Sequence, residues 1–335
     1  MGWRGAPDKR SCVTLMTATP STEIPVDELE REHAELGLPP VEEEITHPAR
    51  HPLLKVASYL ILAVLVALAA YLLFQLFGVE HERTATQILS DTLNDEQFWW
   101  ALGVGLLAQV VDGALGMAYG ITASSFLLAT GATPLAASGA AHLAEVFTTG
   151  ISGVSHLRMG NVNRKLFLSL VIPGVTGGLI GTYVLGNIDG KLLKPWISLY
   201  LLLMGLYVLG RAFRKIILVK TDVRPSRVAP LALFGSFMDT TGGGGWGPIV
   251  TTSLVGAGHD PRTTIGSVNF AEFFLTVAVS AAFFSILEAS IWLTVAGLVI
   301  GGILAAPFAA YVTRHVKPRY LLVLVGTLIS GISVY

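Results

Sequence analysis

The sequence predicts an all-α polytopic membrane protein. It would comprise two inverted-topology repeats, whose Gly-rich broken or re-entrant helices meet near the membrane midplane, plus one extra N-terminal transmembrane helix. Three observations carry this reading. Of 335 residues, 52% are hydrophobic and only 13% charged, with a mean hydropathy of +0.63; soluble domains carry roughly a quarter charged residues. Long uncharged runs recur along the chain. A shift of 127 residues lays one half of it on the other without a gap.

The elements follow in order. Residues 1–52 hold ten of the 23 acids and many Pro and Thr. They read as a disordered cytoplasmic tail with a short helix around Val26–Leu36, because so little apolar surface cannot offset the entropy of ordering. No apolar core of signal-peptide length follows the early basic residues. Residues 53–78 form the N-terminal transmembrane helix, since about 20 helical residues reach the ~30 Å of a bilayer core. Residues 79–96, with five acids, form an extracytoplasmic loop. The first repeat spans 97–212, a basic cytoplasmic linker 213–228, and the second, inverted repeat 229–335. Apolar runs cover 97–131, 134–157, 166–187, 195–210, 229–257, 263–287, 291–313 and 320–335.

Orientation follows from the polar breaks between runs. Arg158, Arg164 and Lys165 mark one break, Arg211 to Arg227 a second, and Arg314, Lys317 and Arg319 a third. The positive-inside rule puts these in the cytoplasm together with Arg50, Lys55 and the N-terminus. The acidic loop and the break holding Glu288 face outward, along with the minor exceptions Lys191 and Lys194.

The 127-residue shift superposes Asp112 on Asp239, Gly116 on Gly243, Gly120 on Gly247, Gly131 on Gly258, Pro134 on Pro261, Gly139 on Gly266 and Glu145 on Glu272. The first copy starts outside and the second inside, so the repeats are inverted, a common construction of secondary transporters. In each copy an apolar segment runs into a break: Asp112-Gly-Ala-Leu-Gly-Met-Ala-Tyr-Gly120 or Asp239-Thr-Thr-Gly-Gly-Gly-Gly-Trp-Gly247. About a dozen residues follow each break, spanning only about 18 Å as helix, too short to cross. A re-entrant hairpin is therefore expected, although two full crossings would leave the same parity.

Eight acids remain after residue 96. Asp189, Asp222, Asp260 and Glu288 lie between runs. Asp112, Glu145, Asp239 and Glu272 lie within them, where a charge at a spanning helix's centre costs roughly 2.5–3.5 kcal/mol. Such acids can serve loose backbone at the breaks, or they can couple protons or ions. His142 with Glu145, and Asn269 with Glu272, share helix faces at three-residue spacing. Gly242, Gly243, Gly244 and Gly245 expose successive N–H groups at a helix start, which suits an anion, and Gly116 and Gly120 occupy the matched break. Thr240, Thr241, Thr251, Thr252, Ser124 and Ser125 add hydroxyls. Tyr119 and Trp246 stand at matched places where they could wall a pocket. Gly174, Gly178, Gly297 and Gly301 read instead as close helix packing.

Gly116-x-x-x-Gly120, Gly131-x-x-Pro134, a small-residue helix from Ala136, Ser152-Gly153 and His156-Leu-Arg158-Met-Gly160-Asn-Val162 resemble the TauE/SafE sulfite exporter family, also called the 4-toluene sulfonate uptake permeases. The Gly-rich run at 242–247 and Gly258-x-x-Pro261-x-x-x-x-Gly266 are similar to that family's internal duplication. The resemblance covers roughly 97–335 and implies a secondary transporter of sulfite, sulfonates or related sulfur oxyanions in the bacterial plasma (inner) membrane.

In the resulting reading the exposed N–H and hydroxyl groups hold a small anionic substrate, with His142, Asn269, Tyr119 and Trp246 around it. Glu145 and Glu272 exchange protons with the aqueous phases, and Asp112 and Asp239 orient the Gly-rich tips. The alternative takes the carboxylates, with His142 and Asn269, as cation ligands of a divalent-metal or Na⁺-coupled carrier. Net charge −1 excludes a strongly basic nucleic-acid binder. One cysteine, Cys12, excludes a disulfide or cysteine-metal scaffold. No HExxH, Ser-nucleophile or phosphate-loop pattern indicates an enzyme, and no cofactor is implied. The lipid bilayer is the surrounding partner, and small-residue faces allow a homodimer.

Overall fold

A computed structural model describes residues 26–38, 52–77, 85–215, 224–287 and 291–334. Expectations that fall elsewhere, including most of the N-terminal tail, Asp222, Glu288 and the middle of the basic linker, lie outside the described residues. Every described element is a helix: α1 (Val26–Leu36), α2 (Pro52–Phe77), α3 (Ala85–Asn94), α4 (Glu96–Leu115), α5 (Tyr119–Ala129), α6 (Pro134–Arg158), α7 (Arg164–Asn187) and α8 (Gly190–Arg211). There follow α9 (Pro225–Gly242), a π-helical turn (Trp246–Thr251), α10 (Thr252–Gly256), α11 (Pro261–Phe284), α12 (Ile291–His315) and α13 (Pro318–Val334). Among the described residues, α7, α8 and α11 are long and apolar enough to cross a membrane, and shorter apolar helical stretches cover Tyr59–Tyr71, Tyr119–Ala129, Ile291–Ala305 and Pro318–Val334.

Local chemistry sets the boundaries. Side chains of Asp95, Thr133, Asn163, Asp189 and Asp260 each accept a backbone N–H of the helix they precede, satisfying donors left over in the first turn. Pro134 and Pro261 open α6 and α11, where the missing N–H costs nothing. Helices α4 and α9 end on Gly116 (φ 67°) and Gly243 (φ 78°), left-handed caps that favour glycine.

These boundaries recur at the 127-residue shift. Tyr119 and Trp246 start the segments after the two breaks, Pro134 and Pro261 the next helices, and Arg164 and Ile291 the ones after. The loop glycines Gly131 and Gly258 match in φ, at 95° and 93°. One difference remains. Helix α5 is an unbroken 11-residue helix, whereas its counterpart splits into the π-helical turn and α10, with Pro248 inside the turn.

Helices of the two halves pair with each other: α4 lies along α12, α7 along α9, α6 against α11 and α8 against α13. Lipid supplies no hydrophobic force between helices, so small residues and tight contact must do it. A Cβ on Gly301 would meet the Leu102 carbonyl, and one on Gly297 would lie 2.8 Å from Ala101 Cβ. Gly177 approaches the Leu233 carbonyl as closely, and Gly205 and Gly326 face each other between α8 and α13. Helix α2 leans on α6 and α12, with Leu65 seated over Gly150.

Two stretches add to the sequence reading. The short helix expected at Val26–Leu36 is present as α1, but it is packed, with Leu29, Leu36 and Leu38 buried. Its apolar residues share one helical face, which composition averaged over 52 residues conceals. The acidic segment before α4 contains helix α3, whose Leu93 carbonyl accepts the indole N–H of Trp99 at 2.7 Å.

Candidate functional site

The two breaks are built alike. In the first, Gly116 N–H caps onto the Asp112 carbonyl at 2.6 Å, while the Asp112 carboxylate accepts the Tyr119 N–H at 3.3 Å. In the second, Gly244 N–H reaches the Asp239 carbonyl at 2.7 Å and the Asp239 carboxylate accepts the Trp246 N–H at 3.0 Å. Each aspartate thus folds the chain back over seven residues and ties one helix end to the next helix start. Ala118 (φ 91°), inside the first break, is the one non-glycine with positive φ among the described residues.

The breaks touch. A Cβ on Gly244 (φ +146°) would overlap the Ile121 nitrogen and Gly120 carbonyl carbon, and one on Gly247 would sit 2.8 Å from Met117 Cβ. Gly243 lies against Ser124. Backbone meets backbone here with no room for side chains, which is the physical requirement behind the glycines at 120, 243, 244 and 247.

Around this contact lie the four in-membrane carboxylates, close enough to act on one another's charge. Asp239 and Glu145 are buried, at 2% and 3% exposure, while Asp112 and Glu272 are half-buried. Glu145 on α6 sets its carboxylate against Gly120 of α5, where an added Cβ would lie 3.0 Å from Oε1. His142 lies a turn away on the same helix, with Nε2 3.1 Å from Asp239 Oδ2 and Nδ1 2.8 Å from the Ser138 carbonyl. A carbonyl can only accept, so Nδ1 carries a hydrogen, and a single proton lies between Nε2 and Oδ2. The matched residue Asn269 does not make the matched contact: it donates to Ser152 Oγ at 3.1 Å instead of reaching Asp112. One half of the site is closed by a cross-half ion pair and the other is not.

The remaining expected residues divide. Thr241 donates to the Phe237 carbonyl, 2.7 Å away, and Thr252 to that of Pro248, so both hydroxyls are spent on their own helices. Ser124, Ser125, Thr240, Thr251 and Tyr119 carry buried hydroxyls with no hydrogen-bond partner among the described residues. Such groups are costly to bury unpaired and are what a polar ligand would satisfy. Trp246 is fully buried, its indole N–H on the Val268 carbonyl at 3.3 Å and its ring against Gly174. It fills space between helices. The repeat-related Thr149 and Thr276 meet each other, oxygen to oxygen at 3.5 Å.

Sequence reasoning missed three contributors. Tyr200 on α8 donates to the Gly244 carbonyl at 2.7 Å. Ser138 donates to the Thr240 carbonyl at 2.6 Å. Arg211, counted above with the loop charges, is the last residue of α8, 6% exposed, and donates to Met117 Sδ at 2.8 Å. All three are long-range contacts that leave no trace in the sequence.

A cavity of about 870 Å³ lies elsewhere, between the start of α4, the α5–α6 loop and the start of α12. Glu96, Gln97, Trp100 and Thr294 line it, together with Leu287. None of the expected site residues is on its wall. Leu287 also rests on Gly139 of α6, three residues before His142. Among the described residues no three His, Cys, Asp or Glu side chains converge to hold a metal ion.

Comparison with known proteins agrees with this architecture. The family described as "Sulfite exporter TauE/SafE" matches residues 101–335. The "Probable membrane transporter protein YtnM" of Bacillus subtilis (strain 168) is 46% identical over 230 residues, covering 67% of this chain and 77% of that protein. No solved structure matches the chain. Taken with the all-helical apolar architecture, these matches place the chain among membrane transporters, in the sulfite exporter TauE/SafE family.

Proposed function

We propose that the protein is a secondary-active exporter of sulfite, sulfonate or related sulfur-containing anions in the bacterial plasma membrane, coupled to protons, with its N-terminus in the cytoplasm. The observation that carries this reading is the use of backbone N–H groups by carboxylates at the contact between the breaks. Asp112 occupies the Tyr119 N–H and Asp239 the Trp246 N–H, donors of the kind an entering oxyanion needs, and the Glu145 carboxylate lies against Gly120 beside them. The hydroxyls of Ser124, Ser125, Thr240 and Thr251 are buried with no partner among the described residues. Protonation of Glu145 removes its charge beside Gly120, so the anion is admitted as the proton arrives. Charge repulsion thereby becomes coupling: an ionised Glu145 excludes the anion, and a neutral one admits it. Glu272, at the matched place on α11, serves the opposite phase of the cycle.

The recurrence of boundaries at 127 residues, the pairing of helices across halves and the Thr149–Thr276 contact support inverted repeats related by a two-fold axis through α6 and α11. The 11 residues of α5 rise about 16 Å, which supports a re-entrant hairpin. The cavity at Glu96 and Leu287 then serves as the extracytoplasmic approach, on the side of the acidic loop.

The test is flux of radiolabelled sulfite in proteoliposomes under an imposed pH gradient. Replacing Glu145 and Glu272 together by Gln should leave sulfite-dependent thermal stabilisation and downhill exchange intact while abolishing uphill transport. Unchanged pH-driven transport in that double variant would overturn the coupling scheme.

A further inference from the structure

Helix α1 lies outside the residues matched to the family, 101–335, yet it is tied to the rest of the molecule by several ion pairs. Its acidic side meets a basic surface formed by the end of α8 and the start of α13. Lys317 Nζ lies 2.6 Å from Glu28, Lys215 Nζ 2.8 Å from Glu35, and Arg319 bridges Glu32 at 3.5 Å and Glu35 at 2.5 Å. The Arg319 N–H also donates to Glu32 at 3.2 Å. The apolar side is buried at Leu29 and Leu36, and Leu38 beyond it joins the cluster that contains Leu115 and Met117. Exposed pairs contribute little individually, but here they flank buried leucines and fix the helix in one register.

The far end of α1 is wired to the candidate site. The buried guanidinium of Arg211 donates from Nη2 to the Leu36 carbonyl at 3.0 Å and from Nη1 to Met117 Sδ at 2.8 Å. Met117 sits inside the first break, between the left-handed Gly116 and Ala118, and its Cβ packs on Gly247 of the second break. The chain of contact therefore runs from α1 through one arginine to the place where the two breaks touch. Among the described residues this link meets the first break directly, and the second through the packing of Met117 on Gly247.

We propose that α1 is a built-in brace: docked, it holds the first backbone break through Arg211 and Met117, and its release loosens that break and frees it to move. A cation-rich face that holds an acidic helix of the same chain is thus an autoregulatory surface, opened by anything that competes for Lys215, Lys317 and Arg319, such as high salt or an anionic lipid surface.

Hydrogen exchange on the full-length protein in detergent tests this without any substrate, so its result stands apart from that of the flux experiment. Two variants are compared with the parent: Glu28→Lys/Glu32→Lys/Glu35→Lys, which repels α1, and Arg211→Gln, which cuts the link with α1 still docked. Amides of Gly116–Gly120 should exchange about tenfold faster in both, while those of Gly243–Gly247, the matched break, stay within about twofold of the parent. Equal acceleration of both breaks would mean general destabilisation and overturn the brace. So would the absence of any change at Gly116–Gly120 in both variants.

Discussion

Replacing Gly244 by alanine tests the contact between the breaks directly. Gly244 holds φ +146° and its missing Cβ would overlap Ile121 and Gly120 backbone. The strained φ costs about 1–3 kcal/mol. Forcing two backbones apart in a packed interior costs about 1–3 kcal/mol more, for a total of about 2–6 kcal/mol. Two controls separate these contributions. Gly131 has φ +95° with nothing within 4 Å of its Cβ position, so alanine there meets the conformational cost alone, about 1–2 kcal/mol. Gly103 has open space and a helical backbone, so alanine should gain about 0.5–1 kcal/mol. Thermal unfolding followed by tryptophan fluorescence should rank the variants Gly103→Ala, parent, Gly131→Ala, Gly244→Ala. At about 2–4 °C per kcal/mol, Gly244→Ala should melt roughly 4–24 °C below the parent. If it melts no lower than Gly131→Ala, the breaks are not in backbone contact, and the site as described here is wrong.

The buried His142–Asp239 pair should behave as a unit. His142→Ala or Asp239→Ala alone should cost about 3–5 kcal/mol by stranding the partner, and a double-mutant cycle should show the double variant well short of their sum. Tyr200→Phe removes the only side-chain donor seen on the Gly244 carbonyl and should cost about 1 kcal/mol, with faster exchange at the second break and not the first. Docking of α1 should depend on acid. The Lys317 hydrogen bond lowers the Glu28 carboxyl and that of Lys215 the Glu35 carboxyl, each below its ordinary 4.5. A lowered carboxyl stabilises the docked state at pH above the ordinary value and loses that contribution as pH falls through the lowered one. Exchange of the Leu29–Leu36 amides, corrected for intrinsic rate, should therefore be slow at pH 7 and rise below about pH 4. A flat profile there would show that the buried leucines alone hold α1.

What could be read in the sequence is what local covalent chemistry decides. Gly116 and Gly243 cap helices because only glycine takes a left-handed φ without strain, and Asp112 and Asp239 sit where a carboxylate can close a seven-residue turn. The duplication is visible because both of these devices, together with Gly131/Gly258 and Pro134/Pro261, occur at matched places. The sequence also isolated four acids in apolar surroundings, since a charge there is too costly to be accidental. The partners were not legible. His142 and Asn269 occupy matched positions, yet one reaches Asp239 on the other half and the other stops at Ser152 on α6. Arg211, read as a loop charge, is buried between Met117 and Leu36, and Tyr200 on α8 reaches the Gly244 carbonyl. Those outcomes depend on which helices lie side by side. That arrangement is decided by close packing of surfaces more than a hundred residues apart, and no spacing along the chain records it.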